Sequence, residues 1–205
     1  MTATLAASGT ESPVAAPEFS PTEERILTAA LSLIGRRGVR RLGMQEISEA
    51  AGVSRATLYR YFPSKEHVLA AAADYDEQRF RAGLDDALAA AEGPAERIAA
   101  FMSYSFAFIR THSARSLFES EPGFVLSYLL DHLPSLREEF IARLGDALDA
   151  VPAVKRGDVH REQLADIVVR LFAASWIVPE TDEASLVQSV NRILQISPKD
   201  GGREP

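Results

Sequence analysis

Residues 42–69 read LGMQEISEAAGVSRATLYRYFPSKEHVL, and the helical period inside this stretch decides the fold. Ile47, Ala50 and Ala51 give a first short helix, over about 44–51, one apolar stripe. Gly52 follows it, where a sharp turn calls for a residue that tolerates positive φ. Val53 is an apolar plug for both flanking helices, and Ser54 has the side-chain oxygen that caps a helix start. The second helix, Arg55 to Tyr61, is too short to stand by itself. It turns Arg55, Thr57, Tyr59, Arg60 and Tyr61 outward and keeps Leu58 and Phe62 for the core. A short polar, cationic and aromatic helix held by another crossing over it is a helix-turn-helix. Such a helix fits the major groove of B-DNA, where Arg, Thr and Tyr reach base edges and phosphates.

The run Ala51-Gly52-Val53-Ser54, then Thr57-Leu58-Tyr59, Tyr61-Phe62, Ser64-Lys65-Glu66 and Leu69, resembles the DNA-binding head of the tetracycline-repressor (TetR) family. The resemblance spans residues 21–70; the rest matches only in length and helical character. One departure stands out: the family commonly has Thr or Ser before the first motif helix, and here the chain reads Leu42-Gly43-Met44. Glycine can cap a helix there but offers no hydroxyl to a phosphate.

The net charge of −7 argues against nucleic acid until its distribution is read. Between residues 20 and 66, eight Lys/Arg stand against five Asp/Glu, a balance of +3, and the remainder of the chain carries −10. Residues 36–65 alone carry +5. A basic head on an acidic body is the asymmetry expected when one end meets phosphates. Hydrophobic content of 46% and the absence of Cys describe an ordinary soluble globular protein without disulfides or thiolate chemistry. No apolar run reaches the ~18 residues of a membrane span. The first eighteen residues hold no Lys or Arg, so the charged start of a secretory leader is missing. A cytoplasmic location is expected.

Outward from the motif, residues 1–19 read as a disordered arm without cations. Ser20-Pro21-Thr22-Glu23 is a capping box opening a helix with Ile26, Leu27, Ala30, Leu33 and Ile34 on one face. Arg36, Arg37, Arg40 and Arg41 crowd its far end, suited either to the helix's negative pole or to the DNA backbone. Ser64 caps a long helix running to about Leu88, with Lys65 placed for a phosphate. Beyond Gly93-Pro94 comes a buried helix, 95–111. Short helices over 113–120 and 123–132, a helix from Leu133 or Pro134 to Ala150, and a loop at 151–158 follow. Two amphipathic helices end the series. The reading is all-α, about nine helices, divided into a head (20–66), a body (67–197) and a polar tail (198–205).

Enzyme patterns fail in turn. Gly52-Val53-Ser54-Arg55-Ala56 lacks the last glycine of a nucleophile elbow, and no glycine-rich phosphate loop occurs. His67, His112, His132 and His160 lack metal-ligand spacing, so no metal and no cofactor is expected. Phe101, Tyr104, Phe108, Phe118, Phe124, Tyr128, Phe172 and Trp176 make an aromatic concentration that reads either as core or as an apolar pocket, with Arg110 as partner for an acidic head group. Leu164, Val168 and Leu171 on one late helix, with Leu186, Val190 and Ile193 on the next, suggest a four-helix bundle with a second chain. The same stripes could instead bury within one chain.

Taken together with the resemblance, these features imply a homodimeric repressor, released from a palindromic operator by a small, apolar ligand. Arg55 and Thr57 are assigned to base edges, and Gln45, Tyr59, Tyr61 and Lys65 to phosphates. Ser54 is the cap beside them, and Arg60 faces either groove or solvent. The alternative is a helical module for small molecules or partners that does not use its DNA head.

Overall fold

The computed structural model describes residues 18–111 and 122–177, and beyond them Ser185, residues 188–190 and Arg192. Among these residues every regular element is helical: α1 (Pro21–Arg37), α2 (Met44–Ala51), α3 (Arg55–Tyr61), α4 (Lys65–Ala89), α5 (Pro94–Thr111), α6 (Pro122–Asp149), α7 (Pro152–Lys155) and α8 (Arg161–Ile177). The arm up to residue 17, the helix expected over 113–120 and the tail lie outside the described residues, as do Leu186 and Ile193. None of the described helices is long and apolar enough to cross a membrane.

Helices α1 to α3 and the first half of α4 form the head. Its core joins Ile26, Leu27 and Ala30 of α1 to Ile47 and Ala51 of α2, Leu58 of α3, and Val68 and Ala72 of α4. The start of α1 is fixed twice. Ser20 N–H donates to Glu23 Oε2 at 2.8 Å while Ser20 Oγ accepts from the Glu23 N–H, the reciprocal box that the sequence announces. Just before it, Phe19 sets its ring edge-on to Tyr75 of α4, centroids 5.6 Å apart. Phe19 therefore belongs to the folded head and not to the arm.

The body wraps α5, α6 and α8 around the second half of α4. Its core includes Leu84 and Leu88 of α4, Phe101 and Met102 of α5, Phe140, Leu144 and Leu148 of α6, and Leu164 and Val168 of α8. Gly83 lets Tyr104 lie against α4, since a Cβ there would overlap the Tyr104 hydroxyl. Two ion pairs, Arg81–Glu139 and Arg143–Asp85, then stitch α4 to α6, each backed by a pair within its own helix. Glu139 Oε1 takes Arg81 Nε at 3.1 Å and Arg143 Nε at 3.0 Å, Arg81 reaches back to Glu77 at 2.7 Å, and Arg143 meets Asp85.

Two expectations are corrected here. The separate helices read on either side of Leu133–Pro134 are one helix, α6, with Pro134 inside it. An interior proline costs about 3 kcal/mol and orphans one carbonyl. That carbonyl belongs to Leu130, a residue 61% exposed, while Leu129 on one side and Phe140 and Leu144 on the other continue the buried stripe. The loop read at 151–158 likewise holds the single turn α7, and Gly157 follows it at φ 76°. The helix α6 also joins the two cores: Leu129 is buried in the head cluster, and Leu133 packs against both. From α8, Ala173 enters the head cluster as well.

Candidate nucleic-acid interface

The helix-turn-helix is held by donors aimed at helix ends. Gly52 takes up φ 63° and its N–H returns to the last turn of α2, the left-handed cap the turn requires. With no cation in its own last turn, α2 receives one from α1: Arg25 Nη2 donates to Ala51 O at 2.8 Å and Gly52 O at 3.2 Å. Sequence reasoning missed Arg25; the missing cation at the end of α2 is the signal that points to it. At the other end, Gly43 N–H donates to Glu46 Oε2, and Glu46 Oε1 pairs with Arg37 at 2.5 Å, which fastens α1 to the start of α2. The bare glycine cap is thus compensated by its glutamate.

Ser54 caps α3 as expected. Its Oγ accepts the Thr57 N–H at 3.0 Å and shares a hydrogen bond with Thr57 Oγ1 at 2.8 Å. Arg55, Tyr59 and Arg60 are exposed, and Tyr59 keeps half its surface, 50%, in solvent. A tyrosine ring so displayed does little for packing and is available to a partner. Gln45, also exposed, reaches across from α2 so that its Oε1 accepts from Arg55 Nη2 at 2.6 Å. Arg60 lies over the Tyr61 ring, 5.1 Å from its centroid. A hydrogen bond from the Arg60 side chain, with Thr22 and then Ser20 adding to it, holds the Tyr61 phenol below its usual pKa. Tyr61 thereby links the end of α3 to the start of α1.

Lys65 departs from its simplest reading. Its Nζ donates to Val39 O at 2.6 Å, which pins the loop after α1 to the start of α4 and leaves two of three ammonium donors for other acceptors. Ser64 sits at the cap position of α4, but its hydroxyl turns to the Glu66 carboxylate at 2.6 Å and to His67 instead of a backbone N–H. That bond from Ser64 holds the Glu66 carboxyl below its usual pKa. Arg36, at the end of α1, donates to Ser32 O in its own helix.

In the body, Phe80 stands at the centre of an aromatic group: Phe108 at 5.0 Å, Tyr104 at 5.6 Å and Phe172 at 6.3 Å between ring centroids. Phe101 packs separately on Phe140 at 4.6 Å. Phe80 was not among the residues singled out in the sequence, although its spacing to Leu84 and Leu88 marks one stripe of α4. A cavity of about 20 Å³, lined by Phe80, Phe101, Phe172 and Glu139 among others, lies between these rings. It is room for one water. A more open groove of about 480 Å³ runs along α1 by the end of α2 and Tyr75, away from α3. Burial raises the Tyr104 hydroxyl pKa. Phe118 lies outside the described residues, as do the side chains of Arg110, Phe124, Tyr128 and Trp176.

The stripe assigned to a second chain needs correction. Leu164 and Val168, 2% and 4% exposed, are buried in the core of their own chain against α5 and α6, so neither is available to a partner. Leu171 and Val190 are partly buried against that same core. Ile167, between Leu164 and Val168 in the sequence, is 58% exposed, and Leu126 and Leu130 of α6 are exposed too. An amphipathic stripe on α8 is real, but α5 and α6 cover it.

The model for bacterial regulatory proteins of the tetR family matches residues 26–72, which is the head from α1 into α4. An uncharacterised HTH-type transcriptional regulator of Mycobacterium tuberculosis is 31% identical over 165 residues, 78% of this chain and 77% of that protein. The HTH-type transcriptional repressor KstR of Mycolicibacterium smegmatis is 39% identical over 75 residues, 37% of each chain. Two solved structures share the fold. The fatty acid degradation regulator FadR of Bacillus halodurans aligns with TM-score 0.63 at 19% identity, covering 92% of this chain and all of the other. The ketosteroid transcriptional regulator KstR2 of Mycobacterium tuberculosis aligns with TM-score 0.57 at 19% identity over 89% of this chain and 98% of the other. With an all-helical body behind a head built in this way, and a relative matched along three quarters of its length, the chain belongs to the TetR family of DNA-binding transcriptional regulators.

Proposed function

We propose that the protein is a dimeric repressor whose two heads occupy a palindromic operator and leave it when a small, mainly apolar molecule enters the body. The observation that carries this reading is the display of α3: Arg55, Tyr59 and Arg60 exposed on a helix whose buried side is Leu58. Arg55 and Thr57 would read base edges, and Gln45, Tyr59, Tyr61 and Lys65 would meet phosphates. Dimerisation would use the exposed apolar residues of α6 and α8, Ile167 among them, with the segment after α8.

Release needs a ligand that favours a body shape in which the heads are wrongly spaced, a coupling of roughly 1–3 kcal/mol. Two contacts support a route. The Glu139 ion cluster ties α4 to α6, and Leu129, Leu133 and Ala173 carry body helices into the head core. The aromatic group around Phe80 is the place for an apolar molecule, which would have to part the rings because the cavity is small. The cations described beside that cavity are Arg81 and Arg143, so an acidic head group would compete with Glu139 for them.

Selection of duplexes from a randomised pool by the full chain, followed by salt titration, tests the reading. Two-fold symmetric sequences bound with a steep salt slope are expected. A chain that remains monomeric, or that ignores every duplex at low salt, rejects it.

A further inference from the structure

Between residues 36 and 65, seven Lys/Arg are accompanied by only two carboxylates, Glu46 and Glu49. Each carboxylate next to a phosphate-binding face opposes binding through its charge. Glu46 has a structural duty, since it caps α2 through Gly43 N–H and pairs with Arg37. Glu49 touches neither. It accepts from Gln45 Nε2 at 2.9 Å, and Gln45 Oε1 in turn accepts from Arg55 Nη2 at 2.6 Å. The three side chains make one directed relay from the end of α2 to the first residue of α3.

We propose that Glu49 and Gln45 are positioning residues that set which base pair Arg55 reads and how strictly it reads it. The chemistry at each end admits one arrangement. A carboxylate only accepts and a guanidinium only donates, so the Gln45 amide between them cannot flip. Its oxygen therefore points to Arg55, and one N–H of Nη2 is committed. The remaining N–H groups of the guanidinium are left to form the paired donors that guanine O6 and N7 accept. An arginine held in one orientation meets the base pair that fits it with less loss of side-chain freedom and gains nothing at one that does not, so the relay acts on discrimination. Gln45 thus acts through Arg55, in addition to any phosphate it meets. The inference rests on the assignment of Arg55 to a base edge made above.

The test uses the full chain and the duplex it selects from a randomised pool, together with that duplex changed one base pair at a time. Arg55→Ala identifies the base pair that Arg55 reads. Glu49→Ala should reduce preference at that same base pair by about tenfold, the scale of one good base contact, while affinity for mixed-sequence duplex holds or rises because a negative charge is gone. Glu49→Gln keeps the acceptor and removes the charge, so it should retain the preference and tighten binding to every duplex. Adding Glu49→Ala to Arg55→Ala should cause no further loss of preference.

Three outcomes overturn the proposal. If both Glu49 variants tighten binding uniformly with the preference intact, Glu49 is only a nearby charge. If Glu49→Ala relaxes a different base pair from Arg55→Ala, Glu49 reads a base itself. If Glu49→Gln loses the preference as fully as the alanine, charge and not the relay is responsible. Should Arg55→Ala leave preference unchanged at all base pairs, the assignment of Arg55 fails first, and it does so separately from the relay. Glu49 is exposed, and thermal unfolding of each variant verifies that the head remains folded.

Discussion

The head and the body are both helical, but they are held together by different means. In the head, helix ends are tied by aimed donors: Arg25 on Ala51 and Gly52, Lys65 on Val39, Glu46 on Gly43, Ser54 on Thr57. In the body, wide aromatic and leucine surfaces close on one another, with the Glu139–Arg143 pair at their edge. Directed bonds fix the orientation of a short helix that has a groove to enter. Burial covers apolar area without fixing any single direction, so the two regions should respond differently to substitution.

That contrast can be broken from either side. The largest effect should come from Phe140→Ala in the body, where the whole side chain is buried against Phe101; about 3–5 kcal/mol is expected, read by denaturant unfolding. Leu58→Ala empties the head core and should cost about 2–5 kcal/mol and abolish duplex binding as well. A substitution in the buried body core that abolished duplex binding while stability and dimerisation held would contradict the division. Gly52→Ala places a Cβ at φ 63°, with Arg25 beside it, and should cost about 1–2 kcal/mol while loosening the turn. Arg25→Ala removes the borrowed cap of α2, an expected loss of ~1 kcal/mol with faster amide exchange at residues 48–53. Last, Arg170→Ala breaks an exposed pair with Asp166 on α8, and stability should change by less than ~0.5 kcal/mol.

Legibility in the sequence follows the same line. Ser20-Pro21-Thr22-Glu23, Gly52 and Ser54 announced their caps because capping acts over three or four residues, and the structure has them all. Arg25 reaching Ala51 and Lys65 reaching Val39 span 26 residues each, a distance at which no local pattern exists. For Leu164 and Val168 the pattern marks a covered face and leaves a second chain or the same chain as its cover; the structure has both side chains in the core of their own chain. A stripe tells that a face is covered; whether α5 and α6 or a second chain covers it is a tertiary question. Pro134 misled for the opposite reason, because a strong local signal gave way to a stripe that ran continuously through it.

The ring of Phe19 against Tyr75 has a practical side. A recombinant head trimmed to the motif alone, 20–66, would lose Phe19, Tyr75, Val68 and Ala72 together, and with them the floor on which α1 rests. Isolating the DNA reader for titration or crystallisation therefore calls for a cut upstream of Phe19 and well down α4. A tag fused directly to Ser20 would sit where an aromatic side chain belongs.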